Sequence, residues 1–355
     1  MIAAYPTRFD RIARLALHRH TRLSSVRSVA RRMAANDSTT FRLGTRGSLL
    51  AKTQSQLIAD ELEKRNPGLV VELVVVKTSG DTITDRPLHD LGGKGLFTKE
   101  IEVALLENRV DFAVHSFKDV PVTMPLVDQS DLSLIATPER EDPSDVIVFP
   151  RAFDDGQDGE SALSRLREGA RVGTGSLRRR CQLLARRPDL RIELIRGNID
   201  TRLKKLANDE FDAIVLAYAG LHRAGMYDAA RMITLSDEEM VPAPGQGALA
   251  LQCRRTDQRT AELLLGLNDP GAALCVAAER ALVGALGGDC HSPIAARARV
   301  NGSRITLAAA VGARDGNPPV IRASAEGAIS SPPKVIKAVF DQLASQGVEA
   351  MLVAR

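Results

Sequence analysis

The chain has 355 residues, 44% apolar and 26% charged, with a net charge of +4, as expected of a soluble globular protein of two or three domains. No apolar run approaches the ~20 residues a membrane helix needs, and 3% aromatics with no Trp argue against base-stacking platforms for single-stranded nucleic acid. The charge is unevenly placed: residues 1–36 hold eight Arg and one acidic residue, Asp10, a local +7 that leaves the remaining chain at −3 and weakens a nucleic-acid reading.

That leader is Arg- and Ser-rich, and it lacks the apolar core of a secretory signal. It reads as a disordered tail, as upstream sequence if translation begins at Met33, or as an organellar transit peptide. Cys181, Cys253, Cys275 and Cys290 form no CxxC pair, so free thiols in a reducing compartment are expected. The cytoplasm is the expected location, with organellar import as the alternative.

In chain order, residues 41–44 read as a strand, and Ser48 as the N-cap of a helix with Leu50, Leu57, Ile58 and Leu62 on one face. Leu69 to Val76 is a near-continuous apolar run, expected to be a strand buried on both faces. A polar loop over 77–91 leads through Gly92, Gly93, Lys94 and Gly95 into a helix presenting Phe97, Ile101, Ala104 and Leu105. Strands follow over 110–114 and 132–136, giving an α/β alternation with a largely parallel sheet.

A second α/β block begins after Pro138. Its expected strands are 146–149, 171–173, 191–195 and 213–217. Its helices carry Leu177, Cys181 and Leu184 on one face, then span 199–206. Residues 151–161 read as a surface insertion. Pro242 to Gly247 is hinge-like punctuation, after which 248–252 reads as a strand returning to the first sheet. Two crossings between two lobes would leave a cleft between them. The last third reads as an Ala-rich helix over 270–286, an antiparallel sheet (294–300, 305–311, 320–325) and a covering helix over 333–345. The expected units are a leader over 1–40, lobe 1 over 41–136 plus 248–266, lobe 2 over 137–241, and a C-terminal α+β domain over 270–355.

Chemistry concentrates in a few stretches. Ala113 to Pro121 (AVHSFKDVP) ends a strand in Ser116, Lys118 and Asp119, where open α/β sheets place ligands. Asp119 there can pair with a cation or a ring N–H; the same residues also make an ordinary surface turn. Gly173 to Arg179 puts Thr174, Ser176, Arg178 and Arg179 at a helix N-terminus. The two arginines oppose the helix dipole, a conflict that a bound anion removes. Arg196 and Arg202 repeat the pattern at the next junction, and Arg46 offers it near the amino end. Such forks suit carboxylate or phosphate; a solvated basic face fits Arg186 and Arg187 better. Neither a dinucleotide fingerprint nor a Walker loop is present. Cys290 lies between glycines and Pro293, in a shaped loop rather than a core position, while the other cysteines sit in core patterns.

LGTRGSLLAKTQS, GGKGLFTKE, AVHSFKDVP, EREDPSD, GTGSLRRRCQL, LRIELIRGNIDTRL, LAYAGLHR, PAPGQGALA and GGDCHSPIA occur in one order. With these segments the chain from about residue 41 resembles the porphobilinogen deaminase (hydroxymethylbilane synthase) family. The resemblance implies two periplasmic-binding-protein-like lobes with hinge crossings plus the small C-terminal domain. It implies stepwise deamination and head-to-tail polymerisation of four porphobilinogen molecules on a dipyrromethane cofactor, held as a thioether on Cys290. Asp119 is implied as the catalytic residue, stabilising the azafulvenium-like cation formed when ammonia leaves. Arg178, Arg179, Arg202, Ser116, Lys118, Thr174 and Ser176 are implied in cofactor binding, and Arg46, Ser48, Lys94, Arg196, Arg223 and Gln246 in substrate binding. The expected partner is porphobilinogen, with the chain a monomer and neither nucleic acid nor membrane involved. A non-enzymatic binder of anionic solutes on the same two-lobed fold gives Cys290 no role. A nucleic-acid binder acting through residues 1–36 would lose binding when they are deleted.

Overall fold

The computed structural model describes residues 39–78, 98–122, 131–151, 161–289 and 292–353. The leader before residue 39, Lys94 and its glycines, Phe97, Cys290 and most of the 77–91 loop and the 151–161 insertion lie outside these.

The first sheet is built from β1 (Thr39–Thr45), β2 (Leu69–Val75), β3 (Phe112–Ser116), β4 (Leu132–Ala136) and β10 (Leu249–Arg254), in the order β2-β1-β3-β10-β4. β1 pairs in parallel with β2 and β3, whereas β10 runs antiparallel to both β3 and β4. The returning strand therefore makes the sheet mixed rather than largely parallel. β2 also departs from expectation. It is an edge strand with alternating burial, and Val70 and Val75 are exposed. Its apolar run reflects one buried face and an edge, not two covered faces.

Helix α1 (Leu49–Arg65) is capped by Ser48, whose Oγ accepts from the Ala51 amide at 3.3 Å. It packs Ile58, Ala59 and Leu62 onto Phe41, Leu43 and Phe112; Leu57, expected on that face, points outward. α2 (Lys99–Leu106) buries Ile101, Ala104 and Leu105, as its spacing predicts, and α6 (Gln258–Leu265) adds Leu264 to the same lobe.

The second sheet comprises β5 (Asp145–Val148), β6 (Arg171–Gly173), β7 (Arg191–Glu193), β8 (Ala213–Ala217) and β9 (Met232–Thr234), ordered β7-β6-β8-β5-β9. Again one strand, β5, is antiparallel to its neighbours, so the two lobes share a plan. β7 ends at Glu193, short of the expected Ile195, and β9 adds an edge that no periodicity marks. Helices α3 (Leu177–Arg186), α4 (Ile199–Ala207) and α5 (Tyr218–Arg223) cover the lobe. α3 buries Cys181 and Leu183 rather than Leu184, because its inner face is shared with Arg178 and Arg179.

The C-terminal unit is the antiparallel sheet of β11 (Ile294–Asn301), β12 (Arg304–Gly312) and β13 (Val320–Ala328). It is packed by α7 (Pro270–Ala285), α8 (Pro332–Ser345) and the short α9 (Val348–Val353). Asp269 caps α7 through the Ala272 amide at 2.6 Å, with Pro270 in the first turn where its missing N–H costs nothing.

Both crossings between the lobes meet the third domain at Glu279 of α7. Its fully buried carboxylate pairs with Arg140 of the first crossing at 2.7 and 3.1 Å and accepts from Gly245 N of the second at 2.7 Å. The Ala298 amide of β11 donates to it at 2.8 Å. Arg140 also bonds Gln246 O at 2.9 Å, tying one crossing to the other. Gly247 has φ +83°, and a Cβ there would fall 2.2 Å from Glu141 O, so the crossings approach as only glycine permits.

Candidate functional site

The lobes enclose a cleft of about 600 Å³, within the usual range for small-molecule sites. Lobe 1 contributes Arg46, Ser48, Ser116, Lys118 and Asp119; lobe 2 contributes Arg179, Arg196, Asp200, Arg202 and Lys205. The walls are close, since a Cβ on Gly220 of α5 would sit 3.7 Å from Leu50 of α1.

On lobe 1, β3 ends at Ser116 and the chain turns through a single 3-10 turn, Phe117–Asp119. The Phe117 amide donates to Ala248 O and the Val120 amide to Phe117 O, both at 3.0 Å. Ser116 Oγ donates to Gln54 Oε1 of α1 at 3.0 Å, fixing the strand end against the helix that Ser48 caps. His115 faces inward. It is buried, bonds Gln252 Oε1 at 2.9 Å, and burial pulls its pKa down to about 4, so the ring is neutral at physiological pH. Desolvation also lowers the Lys118 ammonium to about 8 despite the neighbouring Asp119.

On lobe 2, Arg202 donates from Nε to Gly197 O at 2.7 Å, and Gly197, at φ +110°, lets the chain fold over Thr201. Burial, with Arg179 and Arg196 nearby, pulls the Arg202 guanidinium down to about 10. Cations crowded without pairing would be expensive. Asp119 across the cleft offsets Arg202; for Arg179 the carboxylate lies one layer deeper, on Asp145 at the start of β5.

Asp145 is fully buried. Arg178 reaches it with Nη1 at 2.7 Å and Nη2 at 3.2 Å, and Arg179 with Nε at 3.0 Å and Nη2 at 2.8 Å. Gln246 Nε2 adds a bond at 3.0 Å. Burial alone would raise the Asp145 carboxyl; the two guanidiniums overcome it and hold it well below the usual carboxylate range. Each arginine is further anchored on a carbonyl, Val241 O for Arg178 at 2.8 Å and Val215 O for Arg179 at 2.7 Å. The anion that two arginines at a helix start require is thus supplied by the chain itself.

The sequence-derived site residues therefore divide. Arg46, Ser48, Ser116, Lys118, Asp119, Arg179, Arg196 and Arg202 line the cleft. Arg178, Thr174, Ser176, Arg223 and Gln246 are not among the lining residues. Ser176 caps α3 by accepting from the Arg179 amide at 3.4 Å, Thr174 Oγ1 accepts from the Ser176 amide at 3.3 Å, and Arg223 donates to Gly247 O at 2.8 Å. Lys94 and Cys290 lie outside the described residues. On either side of Cys290, the Asp289 amide donates to Ser292 Oγ at 3.0 Å and Ser292 Oγ donates to Asp289 Oδ1 at 2.9 Å. Burial pushes the thiols of Cys181 and Cys275 up to about 11 and that of Cys253 to about 12, which leaves them inert. Asp145, Gln54 and Lys205 were assigned no role in the sequence, although Asp145 closes the EREDPSD segment; the dipole conflict at Arg178 and Arg179 was the pointer to a partner for them.

Two α/β lobes closing a cation-lined cleft over a carboxylate turn form a site suited to small polyanionic ligands. Comparison with known proteins narrows the class: residues 41–262 match "Porphobilinogen deaminase, dipyromethane cofactor binding domain" and residues 273–344 match "Porphobilinogen deaminase, C-terminal domain". The porphobilinogen deaminase of Trichlorobacter lovleyi is 45% identical over 312 residues, covering 88% of this chain and 95% of that one. The chain belongs to the porphobilinogen deaminase family. Solved structures of periplasmic binding proteins are far less similar. One is a probable amino-acid ABC transporter extracellular-binding protein, ytmK from Bacillus subtilis (15% identity, 71% of this chain and 99% of that one, TM-score 0.37). Another is an arginine 3rd transport system protein from Legionella pneumophila (14%, 64% and 92%, TM-score 0.35).

Proposed function

We propose that this chain is a transferase that deaminates porphobilinogen and joins four molecules head to tail into hydroxymethylbilane, in tetrapyrrole biosynthesis. The observation that carries the reading is Asp119, set on the turn after β3 opposite the cations of lobe 2 in one cleft. Each pyrrole of the substrate carries an acetate and a propionate, and so does each ring of dipyrromethane. Arg46, Lys118, Arg179, Arg196, Arg202 and Lys205 offer cations for those carboxylates, and Asp119 offers an acceptor for ring N–H groups, so the donor set fits the cofactor. When bound through Cys290, dipyrromethane supplies a tethered primer with a free α-carbon.

The residues of the chain bind, orient and stabilise charge. The arginines hold the carboxylates and so fix the rings' position, with Arg179 made rigid by Asp145 behind it. Asp119 accepts a hydrogen bond from the substrate's ring N–H and stabilises the positive charge that grows on that ring as the aminomethyl C–N bond breaks and ammonia leaves. A carboxylate already in place costs no reorganisation at that moment. The proposed setting is a cytoplasmic monomer, and the three buried thiols support a reducing compartment.

The test is the intact mass of the purified protein beside a Cys290→Ala variant. An excess of two pyrrole units is expected in the first and not in the second. No excess even after incubation with porphobilinogen would replace this reading with a reversible binder of anionic solutes.

Lys118 gives the cleft a pH dependence. Its ammonium is charged well below pH 8 and loses that charge as the pH rises through about 8. KM for porphobilinogen is therefore expected to rise by about tenfold above pH 8, the worth of one charge-assisted bond. A Lys118→Met variant should show the higher KM throughout and no inflection there; an unchanged inflection would assign it to another group.

A further inference from the structure

We infer that Arg280, on α7 of the C-terminal domain, is a positioning residue for Asp119. Its Nη1 donates to Val120 O at 2.7 Å and its Nη2 to Pro121 O at 2.6 Å. Its guanidinium carbon lies 4.9 Å from the centre of the Phe117 ring. One planar group thus holds the chain on both sides of Asp119, by a cation–π contact before it and two successive carbonyls after it.

Among the described residues, the exit of the turn past Val120 is fixed by Arg280. Val120 is buried, so its carbonyl needs a partner away from water, and Arg280 is that partner. The opposite side of the turn rests on Gly245, whose φ is +72° and whose missing Cβ would lie 3.2 Å from Phe117 Cβ and 3.3 Å from Lys118 N. Gly245 N is in turn held by Glu279, the neighbour of Arg280, at 2.7 Å. Adjacent residues of α7 therefore fix the turn from two sides, Arg280 directly and Glu279 through the hinge glycine. The same helix runs on to the loop that carries Cys290, and Val122, just past the turn, packs into the C-terminal core. The domain that carries the cofactor thiol accordingly also sets where the catalytic carboxylate points.

The inference rests on Asp119 as the charge-stabilising group. A displacement of the carboxylate by a fraction of an ångström is felt in turnover rather than in ligand affinity, because ring position is set by the arginines. For Arg280→Met we expect kcat to fall by about ten- to a hundredfold with KM within about twofold. Arg280→Lys, which keeps the charge but reaches one carbonyl, should recover part of that loss. Amide hydrogen exchange of the 112–122 segment in the holoenzyme should quicken in both variants, while the covalent mass excess stays as in the parent protein. An unchanged kcat or unchanged exchange would overturn the inference, and so would a KM that rises in proportion or a lost adduct, since either would place Arg280 on the ligand or in assembly. Should Arg280→Met fail to fold, the lysine variant alone carries the same comparison. Asp119→Ala, run alongside, separates the two claims: full turnover there removes the role of Asp119, whereas slow Asp119→Ala beside fully active Arg280 variants removes only that of Arg280.

Discussion

Asp119→Ala is expected to lower kcat by at least about 10²–10³-fold, the usual loss when a preplaced electrostatic stabiliser is removed, with the covalent mass excess and the thermal midpoint nearly unchanged. The stability half of that expectation comes from the geometry. The turn is held by its backbone bonds to Ala248 and within Phe117–Val120, and among the described residues no hydrogen bond is made to the Asp119 carboxylate itself. Removing the side chain therefore breaks no hydrogen bond, although it takes away the carboxylate that offsets Lys118 and Arg202. The catalytic half comes from what faces it. Lobe 2 presents Arg179, Arg196 and Arg202 across the cleft, which serve substrate carboxylates but oppose a cation developing on the ring. Without Asp119 that cation grows in a cation-lined site, and the barrier rises. Steady-state kinetics with intact mass and a melting curve on the same preparation decide it. Retention of most activity would refute the role, and loss of the adduct would move Asp119 from catalysis to assembly.

Much of the fold was legible because it depends on local pattern. The Gly-flanked α7, the alternating strands of the last domain and the return of β10 after the Pro- and Gly-rich crossing all have short-range signals in composition and period. The misreadings share a cause. Whether Leu69 to Val76 is buried on one face or two depends on its place in the sheet order, and nothing within those residues says that β2 is at an edge. The mixed character of both sheets follows from where the crossings deliver β5 and β10, which is a property of topology rather than of either strand. The site divides in the same way. Asp119 and the arginines announce themselves as charges at strand–helix junctions. Asp145 lies in a stretch of ordinary polar residues, and its role exists only because β5 lies beneath the first turn of α3. Arg280 likewise reads as one more polar residue of a helix until the fold sets it against the turn after β3. A charge pattern with no local resolution, as at Arg178 and Arg179, is a sequence-level sign that a partner lies elsewhere in the chain.

Asp145→Ala is expected to be the most damaging substitution away from the reacting atoms. It strands Arg178 and Arg179 and leaves Gln246 with one bond fewer, in a place where all are buried. Removing one partner of a buried ion pair costs about 3–5 kcal/mol, and here one carboxylate serves both arginines. A lower thermal midpoint and a reduced yield of protein carrying the covalent primer are expected together, because Arg179 loses the anchor that points it into the cleft. Arg179→Met should lose the primer while retaining more stability, since Arg178 still pairs with the carboxylate. Asp145→Asn keeps the shape but not the charge, and should fall between the parent and Asp145→Ala. The pH dependence follows from the sign of the shift. The folded-state pKa of Asp145 lies below the unfolded value near ~3.9. Its stabilisation is therefore complete at neutral pH and is lost only as the pH falls below about 4 toward the folded-state value. Between pH 5 and 8 the stability gap between parent and Asp145→Asn should be constant, then narrow in acid. A gap that closes already near neutrality would mean that another group, and not this carboxylate, holds the two arginines.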